Sequence, residues 1–355
     1  MTTSYMISTS YMYLAILAAV GITLVTGWAG VRLARRLHLL DMPGSAPHKQ
    51  HAVPTPLAGG VALVLSLLVL LTASGLWRDE QISRLLLPAA IIFIFSLVDD
   101  ARGLSAPVKL VGQLLAVGVL IASGIYIQIF ESPQFFLGGS APQYVWIDWL
   151  VTVLWIVGVT NAFNLVDSMD GLAVGLSGWA FAFFMLEMYD TRQISLSTFS
   201  ALLAGICLVL YFYNVAPARL FLGDSGAQTL GFLLATIAIL YTPHVAYQTS
   251  SWFAPILLVG VPIFDTTLVF FSRLRRRERF YVGHRDHTYH RLVALGMGPG
   301  QAVFTMHLAA LVLGCVAFIA VALPPLWSNG LFLLCLLTGV AGVIFLDNPR
   351  RWHNL

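Results

Sequence analysis

Long apolar runs alternate with short polar stretches along this chain, and nearly every Asp, His and Lys able to do chemistry falls in the polar stretches. There are five: DMPGSAPHKQHAVPTP (41–56), LVDDARGLSAPVK (97–109), NAFNLVDSMDGLA (161–173), FLGDSGAQ (221–228) and GHRDHTYHRL (283–292). Runs such as LAGGVALVLSLLVLLTASGLW (57–77) and NGLFLLCLLTGVAGVIFL (329–346) are long enough to cross a hydrocarbon core about 30 Å thick. Backbone groups in lipid must be paired within the segment, which selects helices, and the alternation of a β-barrel is absent. The pattern predicts eleven helices, at 11–33, 57–77, 84–98, 107–128, 146–163, 171–188, 196–214, 226–244, 251–273, 301–323 and 329–346.

The expected fold class is therefore an all-α integral membrane protein. It is a polytopic bundle of about 10–11 transmembrane helices forming one domain over 1–355, with motif-bearing loops at about 34–56, 99–107, 161–171, 214–226 and 274–300. Composition agrees: 58% of the 355 residues are hydrophobic and 10% charged, against about 25% charged in soluble domains. With eleven spans, sixteen of the nineteen Lys and Arg collect on one face, and Arg78, Arg84 and Arg192 stay on the other. That bias makes the first face cytoplasmic, and all five polar stretches land on it. The expected location is the inner (plasma) membrane, with the site facing the cytoplasm. A net charge of +3 held in short loops reads as orientation, not nucleic-acid binding. Cys207, Cys315 and Cys335 lie in apolar runs, spaced for neither disulfides nor zinc. The first apolar run lacks the basic start and cleavage site of a removable leader and reads as a retained anchor.

Ionisable residues at a membrane boundary are costly to place and point to function. Asp99 and Asp100 repel each other at a helix end, where a divalent cation, a Lys or a shared proton would relieve them, and Lys109 follows just after a Pro107 helix start. Asn161, Asn164, Asp167 and Asp170 recur every three residues, a row of oxygens on one helix face suited to Mg²⁺ or a sugar, although capping explains one or two of them. Asp224, between Gly223 and Gly226, is a reasonable Mg²⁺ ligand, and Phe221 could stack on a base or simply pack in lipid. His284, His287 and His290 are interleaved with Arg285 and Arg291; no zinc pattern accompanies them, and the arginines favour an anion. Lys49 and His51 suit a lipid phosphate or an ordinary basic loop. Asp265, in VPIFDTT, is the one acid set well inside a run, where structural pairing and lining the site are both open. Acids for a metal, bases for phosphates and apolar walls together suggest transfer between a soluble phosphorylated substrate and a membrane lipid.

In order and spacing, from about 41 to 295, these motifs resemble the polyprenyl-phosphate N-acetylhexosamine-1-phosphate transferases. VDDARGL, NAFNLVDSMDGLA and FLGDSGAQTLGF carry the resemblance. That family includes the enzyme starting lipid-linked O-antigen and enterobacterial common antigen, a teichoic-acid counterpart and the phospho-MurNAc-pentapeptide translocase. The resemblance implies transfer of a sugar-1-phosphate from a UDP-sugar to a polyprenyl phosphate, with release of UMP and dependence on Mg²⁺ (Mn²⁺ serving in its place). It implies Asp224 as principal metal ligand with Asn164 nearby, and Asp99, Asp100 and Asp167 as catalytic acids. Lys109 is implied at the phosphates, His287 and His290 at the pyrophosphate, Phe221 on uracil, and Lys49 and His51 at the lipid phosphate. Asn161, Asp170 and Arg291 join the expected substrate-binding set. Ser168 stands where the family often has Gly, and Tyr289 interrupts a His run typical of the peptidoglycan branch; the latter favours UDP-GlcNAc over a muramyl-pentapeptide substrate. The expected partners are the UDP-sugar, the lipid and the bilayer, with a homodimer admissible. The rival class is a cation-coupled transporter, disfavoured because the acids cluster at one face rather than at mid-membrane. A scaffold without activity would require the motifs to be incidental.

Overall fold

A computed structural model describes residues 2–36, 39–42, 54–129, 144–242, 253–277 and 286–348, with side chains from Tyr11 onward. The described residues form thirteen α-helices: α1 (Thr2–Arg36), α2 (Gly59–Ser74), α3 (Glu80–Arg102), α4 (Ala106–Ala122), α5 (Val145–Val166), α6 (Leu172–Asp190), α7 (Ile194–Asn214), α8 (Gly223–Leu240), α9 (Ala254–Leu258), α10 (Gly260–Arg276), α11 (Thr288–Ala294), α12 (Pro299–Val321) and α13 (Pro325–Leu346). Eight of them, α1 (from Tyr11), α3, α5, α6, α7, α8, α12 and α13, are long and apolar enough to cross a membrane, and α2 and α4 are shorter apolar helices. The protein is an all-α, multi-pass membrane protein.

Local chemistry sets the helix ends that matter. Asp79 opens α3 by accepting from the N–H groups of Gln81 (3.0 Å) and Ile82 (3.2 Å), filling donors that a helix start leaves unpaired. Gly103, at φ 69°, closes it. Pro107 lies in the first turn of α4, where its missing N–H costs nothing. The bundle is built around α8, whose best spanning window is 83% buried, against 6% for α13. Without a hydrophobic driving force inside lipid, such burial needs small residues that let backbones approach. Gly231 supplies this against α5: a Cβ there would lie 2.9 Å from that of Phe163 and 3.0 Å from the Thr160 Cα. Gly60 of α2 does the same against the start of α8, where a Cβ would come within 2.6 Å of the Gly226 nitrogen.

Two strands, β1 (Leu40–Asp41) and β2 (Thr55–Pro56), pair antiparallel, with Leu40 opposite Pro56. Phe221 N–H donates to the Pro56 carbonyl (2.9 Å), and Phe221 in turn accepts from Gly59 N–H (3.0 Å). Both ends of the first polar stretch are thus tied to the threshold of α8.

All eleven predicted runs contain helix, with three corrections. The run 251–273 is two helices, α9 and α10, parted at Val259. Gly260 and Pro262 lie in the first turn of α10, where a missing proline N–H is tolerated, and the run is apolar on both sides of the break, which hid it. Helix α3 extends through Asp99 and Asp100, and α8 begins at Gly223, so all three acids sit on helices rather than in loops. Helix α5 stops at Val166, so the expected row of four on one face is divided: Asn161 and Asn164 are helical, Asp167 is the C-cap and Asp170 lies in the following turn.

Candidate active site

Four helix ends converge: the last turn of α3, the first turn of α4, the last turn of α5 and the first turn of α8. Adjacent residues on a helix point about 100° apart, so Asp99 and Asp100 face different neighbours. Asp100 accepts from the backbone N–H groups of Asp224 (2.7 Å) and Ser225 (3.0 Å). It caps α8, filling unpaired amides and placing negative charge at the positive end of the helix. Gly223 is required there twice over: its φ is 71°, and a Cβ would stand 2.7 Å from Asp100 Oδ2. Asp99, buried, accepts from Leu104 N–H (2.6 Å) and pairs with the Lys109 ammonium.

Lys109 bridges to Asp224, its Nζ 2.7 Å from Oδ2. The other Asp224 oxygen accepts from Asn164 Nδ2 (3.0 Å). Asp167 stands half-buried beside them. Burial first, then the charges of Asp224, Asp100 and Asp170, push its carboxyl well above the usual carboxylate range. Among the described residues, Lys109 is the ammonium of this group, and it pairs with Asp99 and Asp224.

A neutral layer lies next to this one. Gln113 Nε2 donates to Gln228 (3.0 Å) and to Asn161 (3.2 Å), and Asn161 Nδ2 donates back to Gln113 (2.8 Å) and to the Val157 carbonyl (2.7 Å). Asn161, expected to touch substrate, is placed in this amide network. Asn214 accepts from Gly171 N–H (2.9 Å) and donates to the Leu220 carbonyl (3.0 Å), tying the 167–171 turn to the segment before α8. The sequence reading missed Gln113, Gln228 and Asn214; their only signal was an amide within or at the end of an apolar run.

The fifth stretch forms a separate cluster at α10 and α11. Asp286 takes a fork of two 2.9 Å bonds from Arg273 and a third, at 3.1 Å, from Arg276. His287 caps α11 and shares its Nδ1 proton with Asp265 at 2.8 Å, and the His287 and His290 rings lie 6.2 Å apart. Burial lowers the His287 pKa, but the Asp265 bond and charge, with Asp286, outweigh it and hold it above 6.5. Burial and the charge of Asp170 raise the Tyr289 hydroxyl, so the start of α11 lies within electrostatic reach of the 167–171 turn. Arg291, expected in the substrate-binding set, is 1% exposed, and its guanidinium bonds the Asp286 carbonyl (2.8 Å), the Leu346 carbonyl (3.0 Å) and Asp347 (3.2 Å). It fastens α11 to the end of α13. Phe221 is half-buried at the β2–α8 junction. Lys49 and His51, with His284 and Arg285, lie outside the described residues.

Residues 82–242, which hold the convergent helix ends, match the glycosyl transferase family 4 model. The chain is 30% identical over 295 residues to the probable undecaprenyl-phosphate N-acetylglucosaminyl 1-phosphate transferase of Bacillus subtilis, spanning 81% of this chain and 79% of that protein. The chain belongs to glycosyl transferase family 4. Within the family, it is 31% identical over 338 residues to the decaprenyl-phosphate N-acetylglucosaminephosphotransferase of Mycobacterium leprae, covering 85% of this chain and 82% of the relative. It is 34% identical to the phospho-N-acetylmuramoyl-pentapeptide-transferase of Heliobacterium modesticaldum over a shorter stretch of 206 residues, 54% of this chain and 62% of that one. This family 4 member keeps its acids at the helix ends and its amides behind them.

Asp224 and Asp167 offer carboxylate oxygens and Asn164 carries an amide oxygen beside the Nδ2 that bonds Asp224; oxygen is the ligand atom a hard cation such as Mg²⁺ prefers. Among the described residues no three His, Cys, Asp or Glu side chains form a closed metal cage. Mg²⁺ commonly keeps several waters and substrate phosphates in its shell. The crowding of Asp167 is a second sign that the cluster fits a cation.

Proposed function

We propose that this protein transfers N-acetylglucosamine-1-phosphate from UDP-N-acetylglucosamine to a polyprenyl phosphate such as undecaprenyl phosphate. UMP leaves, and the reaction takes place at the cytoplasmic face of the plasma membrane. The observation that carries this reading is the carboxylate cluster locked to the first turn of α8, with one lysine among the acids. The names of the two nearly full-length relatives favour N-acetylglucosamine.

A lipid-phosphate oxygen attacks the phosphorus that carries the sugar, and the bond from that phosphorus to the UMP oxygen breaks. A phosphate monoester has a second pKa near about 6 and is largely dianionic at neutral pH, so the nucleophile needs little help from a base. Both Asp100 oxygens are filled by backbone N–H groups, and those of Asp99 by Leu104 and Lys109. Neither is poised to attack phosphorus, which favours one-step displacement over an aspartyl-phosphate intermediate. Asp224 and Asn164, with Asp167 beside them, would hold Mg²⁺ or Mn²⁺, which when bound supplies charge neutralisation on the diphosphate. Lys109 lends a mobile positive charge at the same point, and Asp100 fixes the backbone that carries Asp224. Such positioning and charge stabilisation do most of the work in phosphoryl transfer.

The test is UMP release by purified enzyme with undecaprenyl phosphate and Mg²⁺, comparing UDP-GlcNAc, UDP-GalNAc and UDP-MurNAc-pentapeptide. Turnover with UDP-GlcNAc, abolished by EDTA, is expected. Turnover with the pentapeptide substrate alone would move the protein to the peptidoglycan branch. A stoichiometric burst of UMP without lipid would sink the one-step mechanism.

A further inference from the structure

The proposed reaction leaves Asp265 without a task. It lies on α10, six residues beyond the break at Val259, and is fully buried. Its Oδ2 meets His287 Nδ1 at 2.8 Å, and its Oδ1 accepts from Thr288 N–H at 2.6 Å. One carboxylate therefore fixes both the ring of His287 and the backbone of the next residue. An ionised carboxylate only accepts, so the Nδ1 proton belongs to the histidine and Nε2 is the nitrogen left for a ligand. Around the ring stand Asp265 and Arg273 from α10, Asp286 next in the chain, and His290 at 6.2 Å. Two carboxylates against one guanidinium favour the imidazolium, the form in which Nε2 can donate. Arg273 is not free to replace it, because its fork is closed on Asp286. Helix α10, which carries Asp265, packs on α5, whose last turn holds Asn164 and whose cap is Asp167, so the dyad and the acidic cluster share a helix neighbour.

We propose that Asp265 is a positioning residue of the transferase: it holds His287 by Nδ1 so that Nε2 donates to a phosphate oxygen of the nucleotide-sugar. This rests on the proposed function and adds a residue to it.

The experiment is steady-state kinetics of the full chain in mixed micelles, with KM measured separately for UDP-GlcNAc and undecaprenyl phosphate. Asp265→Asn keeps an acceptor but loses the charge. It should raise KM for UDP-GlcNAc and lower kcat/KM for it roughly ten- to a hundredfold, the range for a charged hydrogen bond, with KM for the lipid unchanged. His287→Asn keeps a donor for Asp265 but lacks Nε2. In that background, adding Asp265→Asn should change little, because residues acting as one unit are not additive. A purely structural contact would reduce the amount of folded enzyme, lowering kcat while leaving both KM values alone. That result, or full additivity, overturns the proposal. If Asp265→Asn does not fold, His287→Asn decides: normal thermal unfolding with a reduced kcat/KM for UDP-GlcNAc supports it, and wild-type kinetics overturns it. Wild-type enzyme silent with every UDP-sugar would instead overturn the proposed function, before any variant is compared.

Discussion

The two charged clusters differ in balance. Around Asp224, Asp99, Asp100 and Asp167 crowd together with Lys109 as their cation, and burial and neighbouring charge push Asp167 well above the usual carboxylate range. At α10 and α11, Asp286 is matched by Arg273 and Arg276, Asp347 by Arg275 and Arg291, and Asp265 by His287. The matched cluster pairs each described carboxylate with a basic side chain and joins helices. The acid-rich one holds a carboxyl that burial and neighbouring charge push well above its usual range, the kind of perturbation that marks a candidate for chemistry.

Removing a charge from each cluster should therefore have opposite signatures. Asp224→Ala is expected to cost about a thousandfold or more in UMP release, the upper range for one electrostatic group, while the protein stays folded. Near-normal turnover would take Asp224 out of the reaction. Arg273→Met leaves Asp286 with only Arg276 in a buried setting. It should destabilise the fold by about 3–5 kcal/mol, seen as a lower thermal midpoint in detergent, with turnover per folded molecule less affected. Lys109→Met lies between these cases. Its side chain is 30% exposed, so the stability loss should be smaller, about 2 kcal/mol, but turnover should fall about a hundredfold. If stability collapsed and the surviving turnover were normal, Lys109 would belong with the matched cluster.

A smaller effect follows from His287, whose raised pKa fixes the sign. A histidine held above 6.5 stabilises the fold fully below that pH and loses the contribution as pH rises through its folded value. The size is about 1.4 kcal/mol per unit of elevation. The difference in thermal midpoint between wild type and Asp265→Asn should shrink from about pH 6 to about pH 9; a constant difference would remove charge from the account. Arg84→Gln serves as the baseline. Its exposed pair with Glu80 should be worth about 0.5 kcal/mol or less, with turnover unchanged.

The bundle and its acids were legible because ionisable residues stand out in an apolar chain. Asp224, Lys109, Asn164, Asp99, Asp100 and Asp167 were all singled out before any geometry, and the structure brings them together. Their division of labour was not legible. Asp99 and Asp100 are adjacent in the chain, yet one pairs with a lysine and the other caps a helix from elsewhere in the sequence, which only the fold decides. Asn161 was grouped with Asn164 by spacing, but Gln113, forty-eight positions away, captures it. Arg291 looked like a phosphate ligand because it sits among histidines, whereas its guanidinium bonds the Asp286 carbonyl and the end of α13. Asp265 was visible but mute, since its partner His287 comes from beyond the α10 helix.

The cap that Asp100 places on α8 has a consequence for biogenesis. Of the convergent helix ends, the first turn of α8 is the last to leave the ribosome, and it enters a slot walled by α2, α3 and α5. A nascent chain that has not reached Gly223 carries Asp100 without its two amides and Lys109 without Asp224. Insertion of α8 brings the two amides and the Asp224 carboxylate together, so the acidic cluster forms in one event.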